Sequence, residues 1–416
     1  MQITRRVFLK SGGVAMLGMS TLPRFLQRAV AATPSHNKRI LVVLFQRGAM
    51  DGLNVVVPFA ERNYYQMRPT IAIPEPRRGG SDAAIDLDGF FGLHPSLLPL
   101  EPLFHKNQLA IIQAVGSPDP TRSHFDAQDF MESGTPGLKS TDDGWLNRGL
   151  QGLPPEEKNS PFRAVAFGPY LPRTLQGSAP AVAMPDLRQF RMNGPQTTVQ
   201  GGFEAMYAQT VDRALHGVGQ ETFEAIDMLK KVNPDQYQPA NGAEYPRSRF
   251  GQSLAEIAQL IKADLGLEVA FLDSGGWDHH VNEGGVQGQL SNLLRDLGQG
   301  VAAFHQDMGD QTENVVFVSM SEFGRTAHEN GNRGTDHGHA NCMFLMGGAV
   351  KGGKVYTRWP GMSESQLYQG RDLAVTTDFR SVLGEIIAKH LGNRDLAKVF
   401  PGFDNSSSKF LNLLRA

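Results

Sequence analysis

The chain is poor in several features that would assign it to large classes of protein. It holds one cysteine, Cys342, in 416 residues, so no disulfide can form within the chain and stability must come from the core or from bound ions. Neither sign of charge dominates: 40 Lys and Arg stand against 42 Asp and Glu, a formal net charge of −2. The basic excess of a nucleic-acid or anionic-membrane surface is missing, and no nucleic-acid partner is expected. The N-terminal apolar stretch GGVAMLGMSTL, Gly12 to Leu22, falls well short of the ~20 residues of a membrane span, so no stable membrane anchor is expected. No internal repeat or low-complexity segment divides the chain.

What is present begins at the N-terminus. TRRVFLK, Thr4 to Lys10, is a paired-arginine signal that resembles the bacterial twin-arginine export signal, and Ala29-Val30-Ala31 supplies the small-x-small pattern of a cleavage site. The expected organisation is a signal peptide over residues 1–31 and one domain over 32–416, delivered folded to the periplasm or beyond by the twin-arginine translocase. A route that carries folded proteins permits a metal to be seated before export.

Short β-branched runs alternate with longer amphipathic ones, which is the pattern of an α/β domain with a mostly parallel sheet covered by helices on both faces. RILVVLF, QLAIIQAV, RAVAF, EVAFLD, NVVFVSM and NCMFLMG read as strands. Phe203 to Lys231, Ser253 to Leu265, Val286 to Met308 and Phe379 to Leu391 carry helical spacing, and the apolar Phe410 to Leu414 reads as a last docked helix.

Ligands of open α/β sheets collect beyond the carboxyl ends of the strands. Asp51 in QRGAMDGLN, Ser123 in TRSHFDAQDFMESG, the GGWDHH run with Asp278, His279 and His280, and SEFGRT with Glu322 and Arg325 all follow strands. GTDHGHAN, with His337 and His339, precedes one. Asp-His-His and Asp-His-x-His offer the oxygen and nitrogen donors of a divalent ion, zinc, manganese or calcium, and equally those of a hydrogen-bonded network. Asp51-Gly52 also fits a turn, and Ser123 with Asp126 fits a helix cap. A cap serine and a nucleophile at a helix N-terminus occupy the same place.

The same motifs, in this order, resemble the bacterial secreted family known as domain of unknown function 1501, which is similar in fold to the alkaline phosphatase and sulfatase superfamily. The resemblance implies an alkaline-phosphatase-like sheet and a metal-assisted site for phosphate or sulfate esters. It places Asp51 as the first-strand metal aspartate, Ser123 as the nucleophile, Asp278 with His279 or His280 and His337 or His339 as further metal ligands, and Glu322 as a metal carboxylate. Phe323 stands where related hydrolases carry a histidine, which removes one nitrogen ligand. Arg325 is the candidate for pairing an ester's anionic oxygens, with a salt bridge to Glu329 as its alternative. A formylglycine-dependent sulfatase is disfavoured, because SPDPTR, Ser117 to Arg122, puts its prolines out of register and Cys342 lacks the motif. The rival is a secreted binding or assembly protein that keeps the fold without catalysis, with a secreted partner in place of a small-molecule ester.

Overall fold

The computed structural model describes residues 39–77, 80–139, 141–153, 160, 162–187 and 236–415. The export signal, residues 1–31, and the expected helix Phe203 to Lys231 lie outside them. Strand β1 (Ile40–Gln46) is followed by three two-residue strands, β2 (Val56–Val57), β3 (Ile85–Asp86) and β4 (Gly92–Leu93), which make a small antiparallel sheet of their own. The remaining strands are β5 (Leu109–Gly116), β6 (Ala164–Phe167), β7 (Val182–Met184), β8 (Val269–Ser274), β9 (Val315–Met320), β10 (Asn341–Met346), β11 (Lys354–Tyr356) and β12 (Thr377–Asp378). With β1 they form a nine-stranded sheet in the order β11-β5-β10-β9-β1-β8-β6-β7, β12 pairing with β5.

Every pairing in this sheet is parallel except those of β10, which runs antiparallel to both β5 and β9. That reversal places the segment before β10 at the same edge as the segments after β1, β5, β8 and β9. All five sequence motifs therefore meet at the carboxyl edge.

LVVLF in β1 is apolar without alternation because both faces are covered, as parallel sheets require. Val42 and Leu44 face helices α3 and α4 of the order α1 (His124–Ser133), α2 (Trp145–Gln151), α3 (Arg249–Lys262), α4 (Gln289–Met308) and α5 (Phe379–Ile386). Leu41, Val43 and Phe45 face α2 and α5. Each such side chain contributes roughly 1.5–3 kcal/mol on burial, more than the ~0–1 kcal/mol of an exposed ion pair, so these two apolar layers carry the fold.

Phe410 to Leu414 does dock, but as extended chain. Leu413 and Leu414 are buried while the Leu413 carbonyl accepts from Lys351 N at 2.7 Å and Arg415 N donates to Ala349 O at 2.8 Å. A five-residue apolar stretch gains more from these edge bonds than from one isolated helical turn.

α5 continues as a π-helical turn, Ile387–Leu391, whose His390 contacts the Ile40 carbonyl through Nε2 at 2.9 Å. Burial lowers this imidazole to about 4. The unfolded chain therefore binds the proton first, so the contribution is complete above the ordinary histidine value of ~6.5 and is lost as the pH falls toward 4. Unfolding free energy measured in urea should drop by on the order of 1–3 kcal/mol across that window, and H390Q should reduce the drop.

Candidate metal centre

Two glycines let the loops at the carboxyl edge come together. Gly48 has φ +115°, and a Cβ there would lie 2.7 Å from Asp278 N. A Cβ on Gly324 would meet the Ala340 carbonyl at 1.7 Å. The loops after β1, β8 and β9 and the segment before β10 thus touch backbone to backbone, which only glycine permits. Asn341 ties them further, donating through Nδ2 to Met50 O and Phe323 O at 2.9 and 2.7 Å.

Around this junction three imidazoles point inward. His124 Nε2 lies 3.0 Å from His337 Nε2, and His280 Nε2 lies 2.9 Å from the same atom. Asp278 closes the group: Oδ1 is 3.0 Å from His280 Nε2 and 3.3 Å from His337 Nε2, and Oδ2 is 3.4 Å from His124 Nε2. His124, Asp278 and His337 offer donor atoms within 4.8 Å of one another.

The far nitrogens explain the orientation. His124 Nδ1 meets Glu322 Oε1 at 2.8 Å, His280 Nδ1 meets Asp336 Oδ1 at 3.1 Å, and His337 Nδ1 meets the Arg122 carbonyl at 2.9 Å. Each partner is an oxygen acceptor, so each Nδ1 carries the hydrogen, and a neutral ring held this way turns its Nε2 lone pair toward the others. Lone pairs 2.9–3.0 Å apart repel unless a cation or a shared proton lies between them. Metal-bound histidines are anchored in this way, Nδ1 to a carboxylate or carbonyl. Four-coordinate zinc would separate the ligand atoms to ~3.3 Å, an opening of a few tenths of an ångström. The donor set fits a divalent ion.

The electrostatics follow these contacts. Burial pushes Glu322 up, but the hydrogen bonds from His124, Gln128 and Gly48 outweigh it and hold the carboxyl below its ordinary value. Acceptance by Glu322 in turn raises His124. His337 is lowered, chiefly by burial. Asp278 is lowered, burial being offset by the Arg325 charge and hydrogen bond.

The expected site residues distribute as follows. Asp278, His280 and His337 are in the cluster. Glu322 stands behind it, with Oε1 taking Gly48 N at 2.8 Å, Gln128 Nε2 at 2.9 Å and His124. Phe323 packs under the rings, its centroid 4.9 Å from His124 and 5.1 Å from His337. His279 is buried with Nδ1 unpartnered, and burial followed by the Arg325 charge lowers it to about 4. His339 contacts the Ser117 carbonyl at 3.1 Å and lies 4.4 Å from the Tyr368 ring. Neither joins the cluster. Ser123 caps α1, accepting from Asp126 N at 3.5 Å.

Arg325 is buried, and all its nitrogens are engaged. Nε donates to Ala49 O at 2.8 Å and Nη1 to Thr335 O at 3.2 Å, while Nη2 meets Gly48 O, Trp277 O and Asp278 Oδ1 at 3.4, 3.2 and 2.6 Å. It positions Asp278. Its fork has no free edge for an ester, and Glu329 is held instead by the Thr70 hydroxyl and the Thr70 and Ile71 amides.

Asp51 lies outside the cluster. Both its oxygens face Arg68, Nη1 on Oδ2 and Nη2 on Oδ1 at 2.9 Å, and all three of Asp51, Arg68 and Glu283 are at most 1 % exposed.

His124 is the cluster residue that motif reading missed. Its signal was its place, one residue beyond a cap at a strand-to-helix junction on the carboxyl edge. It supplies the nitrogen that Phe323 does not.

The chain belongs to the family described as protein of unknown function DUF1501, whose model matches residues 107–399. None of the curated proteins matches it. Among solved structures it is similar to the C-terminal periplasmic domain of EcEptC from Escherichia coli, in complex with Zn, with a TM-score of 0.37 and 12% identity over 90% of this chain and 89% of that one.

R325K keeps the charge but cannot reach all these acceptors at once. It should cost about 1–3 kcal/mol in urea unfolding, since orphaned carbonyls and a half-exposed Asp278 are left behind.

Proposed function

We propose that the protein is an exported metal-dependent hydrolase of a phosphate or sulfate ester, of the alkaline-phosphatase type that its motifs resemble. The supporting observation is the convergence of the His124, His280 and His337 Nε2 atoms with Asp278 while each Nδ1 is held from behind. These four side chains would hold the ion. Imidazole donors favour zinc or manganese over calcium, which prefers an all-oxygen shell. Bound there, such an ion would polarise an ester oxygen and lower the pKa of a water or hydroxyl.

The chain's own residues do the rest. Glu322, Asp336 and the Arg122 carbonyl fix the rings, and Arg325 fixes Asp278. Ser123 is the nucleophile in this reading. It sits beside His124 at a helix N-terminus, where backbone amides favour negative charge, and its 3.5 Å capping contact is weak enough to give up. With Arg325 spent, the anion clamp falls to Arg371, which is 40% exposed and has Nη2 on the His337 carbonyl at 2.8 Å. Its substrate partner is a small ester.

The saturation of Arg325 also favours a second reading, a secreted binding protein whose metal is structural. Purified mature protein, assayed for metal and against a broad panel of phosphate and sulfate esters, separates the two. H337A should lose the metal. S123A should abolish turnover with ~0.5–2 kcal/mol or less lost in stability if Ser123 is the nucleophile, and should change activity only in step with folding if it is a cap. Metal binding without any turnover would leave the binding protein.

Export rests on Arg5, Arg6 and the short apolar run behind them. Replacing both arginines by lysine should strand the precursor in the cytoplasm, visible by cell fractionation. Mature periplasmic protein in a strain lacking the translocase would refute the route.

A further inference from the structure

The resemblance places a metal at Asp51, and the residues around Asp51 do not fit one. Asp51 and Glu283 are buried carboxyl groups at the carboxyl edge, and the Asp51 carboxylate and the Glu283 carboxyl face each other. Two such groups in one dry pocket form a cation site, and a cation is there. Arg68 carries five N–H donors, and every nitrogen is engaged: Nε on Ala327 O at 3.0 Å, Nη1 on Asp51 Oδ2 and on Asn54 Oδ1 at 2.8 Å, Nη2 on Asp51 Oδ1 and Thr326 O, both at 2.9 Å. Glu283 Oε2 accepts from Thr335 Oγ1 at 2.8 Å, whereas Oε1 has no donor. Beside a carboxylate, an unpartnered carboxyl oxygen favours holding a proton. Burial, with the Asp51 charge behind it, raises Glu283 well above the ordinary carboxyl value.

We propose that the guanidinium of Arg68 is a built-in cation at the place of a second metal, so that the protein takes one ion, at the histidine cluster, and none at Asp51. A guanidinium bidentate to Asp51 and further held by three oxygens leaves neither Asp51 oxygen directed at a free space. An incoming ion would have to displace a fully buried, fully bonded arginine. Charge closes at the pair without it, Arg68 being balanced by Asp51.

The inference rests on the proposed metal reading for the histidine cluster but not for the Asp51 pocket, and metal stoichiometry separates them. Mature protein and H337A are stripped with chelator, equilibrated separately with zinc and with manganese, and analysed for metal per chain after gel filtration. One ion in the wild type and none in H337A is the expected result. Two ions in the wild type, or one retained in H337A, overturns the proposal. No ion in either supports a closed Asp51 pocket and overturns the metal reading of the cluster instead. R68S tests the converse in the H337A background, where the histidine centre is silent. Stoichiometry should rise from zero to one, or a chain that fails to fold should be recovered by added metal. A folded R68S/H337A chain that binds nothing shows that the pocket is no cation site and overturns the proposal. If the double variant folds under neither condition, the wild-type and H337A pair decides.

Discussion

A neutral imidazole whose Nδ1–H is already given to an oxygen offers a lone pair at Nε2, and three rings held at Nδ1 in this way meet at the carboxyl edge of this sheet. The rest of the site is arranged around that constraint. Glu322 takes three donors on one oxygen so that His124 cannot turn, the Arg122 carbonyl holds His337, and Phe323 packs against the His124 and His337 rings. Second-row partners of this kind typically alter metal affinity by about 10–100-fold when removed.

Two arginines share a strategy at this edge. Arg68 and Arg325 each grip an aspartate and also tie down backbone carbonyls from neighbouring loops. A buried ion pair is weak evidence for stability by itself, because desolvation cancels much of the attraction. The carbonyl bonds change the balance, since they satisfy loop oxygens that would otherwise be buried without donors. The charges of Arg68 and Arg325 are thus committed to architecture, and the proposed hydrolase reading turns instead to the more exposed Arg371.

Much of the layout could be read from the chain. The six apolar runs became strands, and their order together with the histidine-rich segments located the working edge. Local sequence could not show what depends on contacts across the fold. Asp51 looks like a ligand because a strand-end aspartate is ambiguous until its partner is seen, and Arg68 and Glu283 lie in stretches without a motif. The resemblance makes Glu322 a metal carboxylate, but whether a carboxylate faces an ion or an imidazole depends on where α1 delivers His124. The choice between His279 and His280 is likewise a matter of one backbone turn, and neighbouring letters do not encode it. Short edge strands such as β7 and β11 have too few residues for a period to show.

The reversed strand has a consequence for how such a site can change over time. Neighbouring parallel strands must be joined by a crossover that packs a helix against one face of the sheet. β9 and β10 are antiparallel neighbours, so the chain between Met320 and Asn341 returns directly without entering either apolar layer. That one connection carries Glu322, Arg325, Asp336 and His337. Insertions, deletions and substitutions within it can retune the donors and the opening above them without disturbing the helices that stabilise the domain, which makes this stretch the natural place for members of one fold to diverge in what they bind.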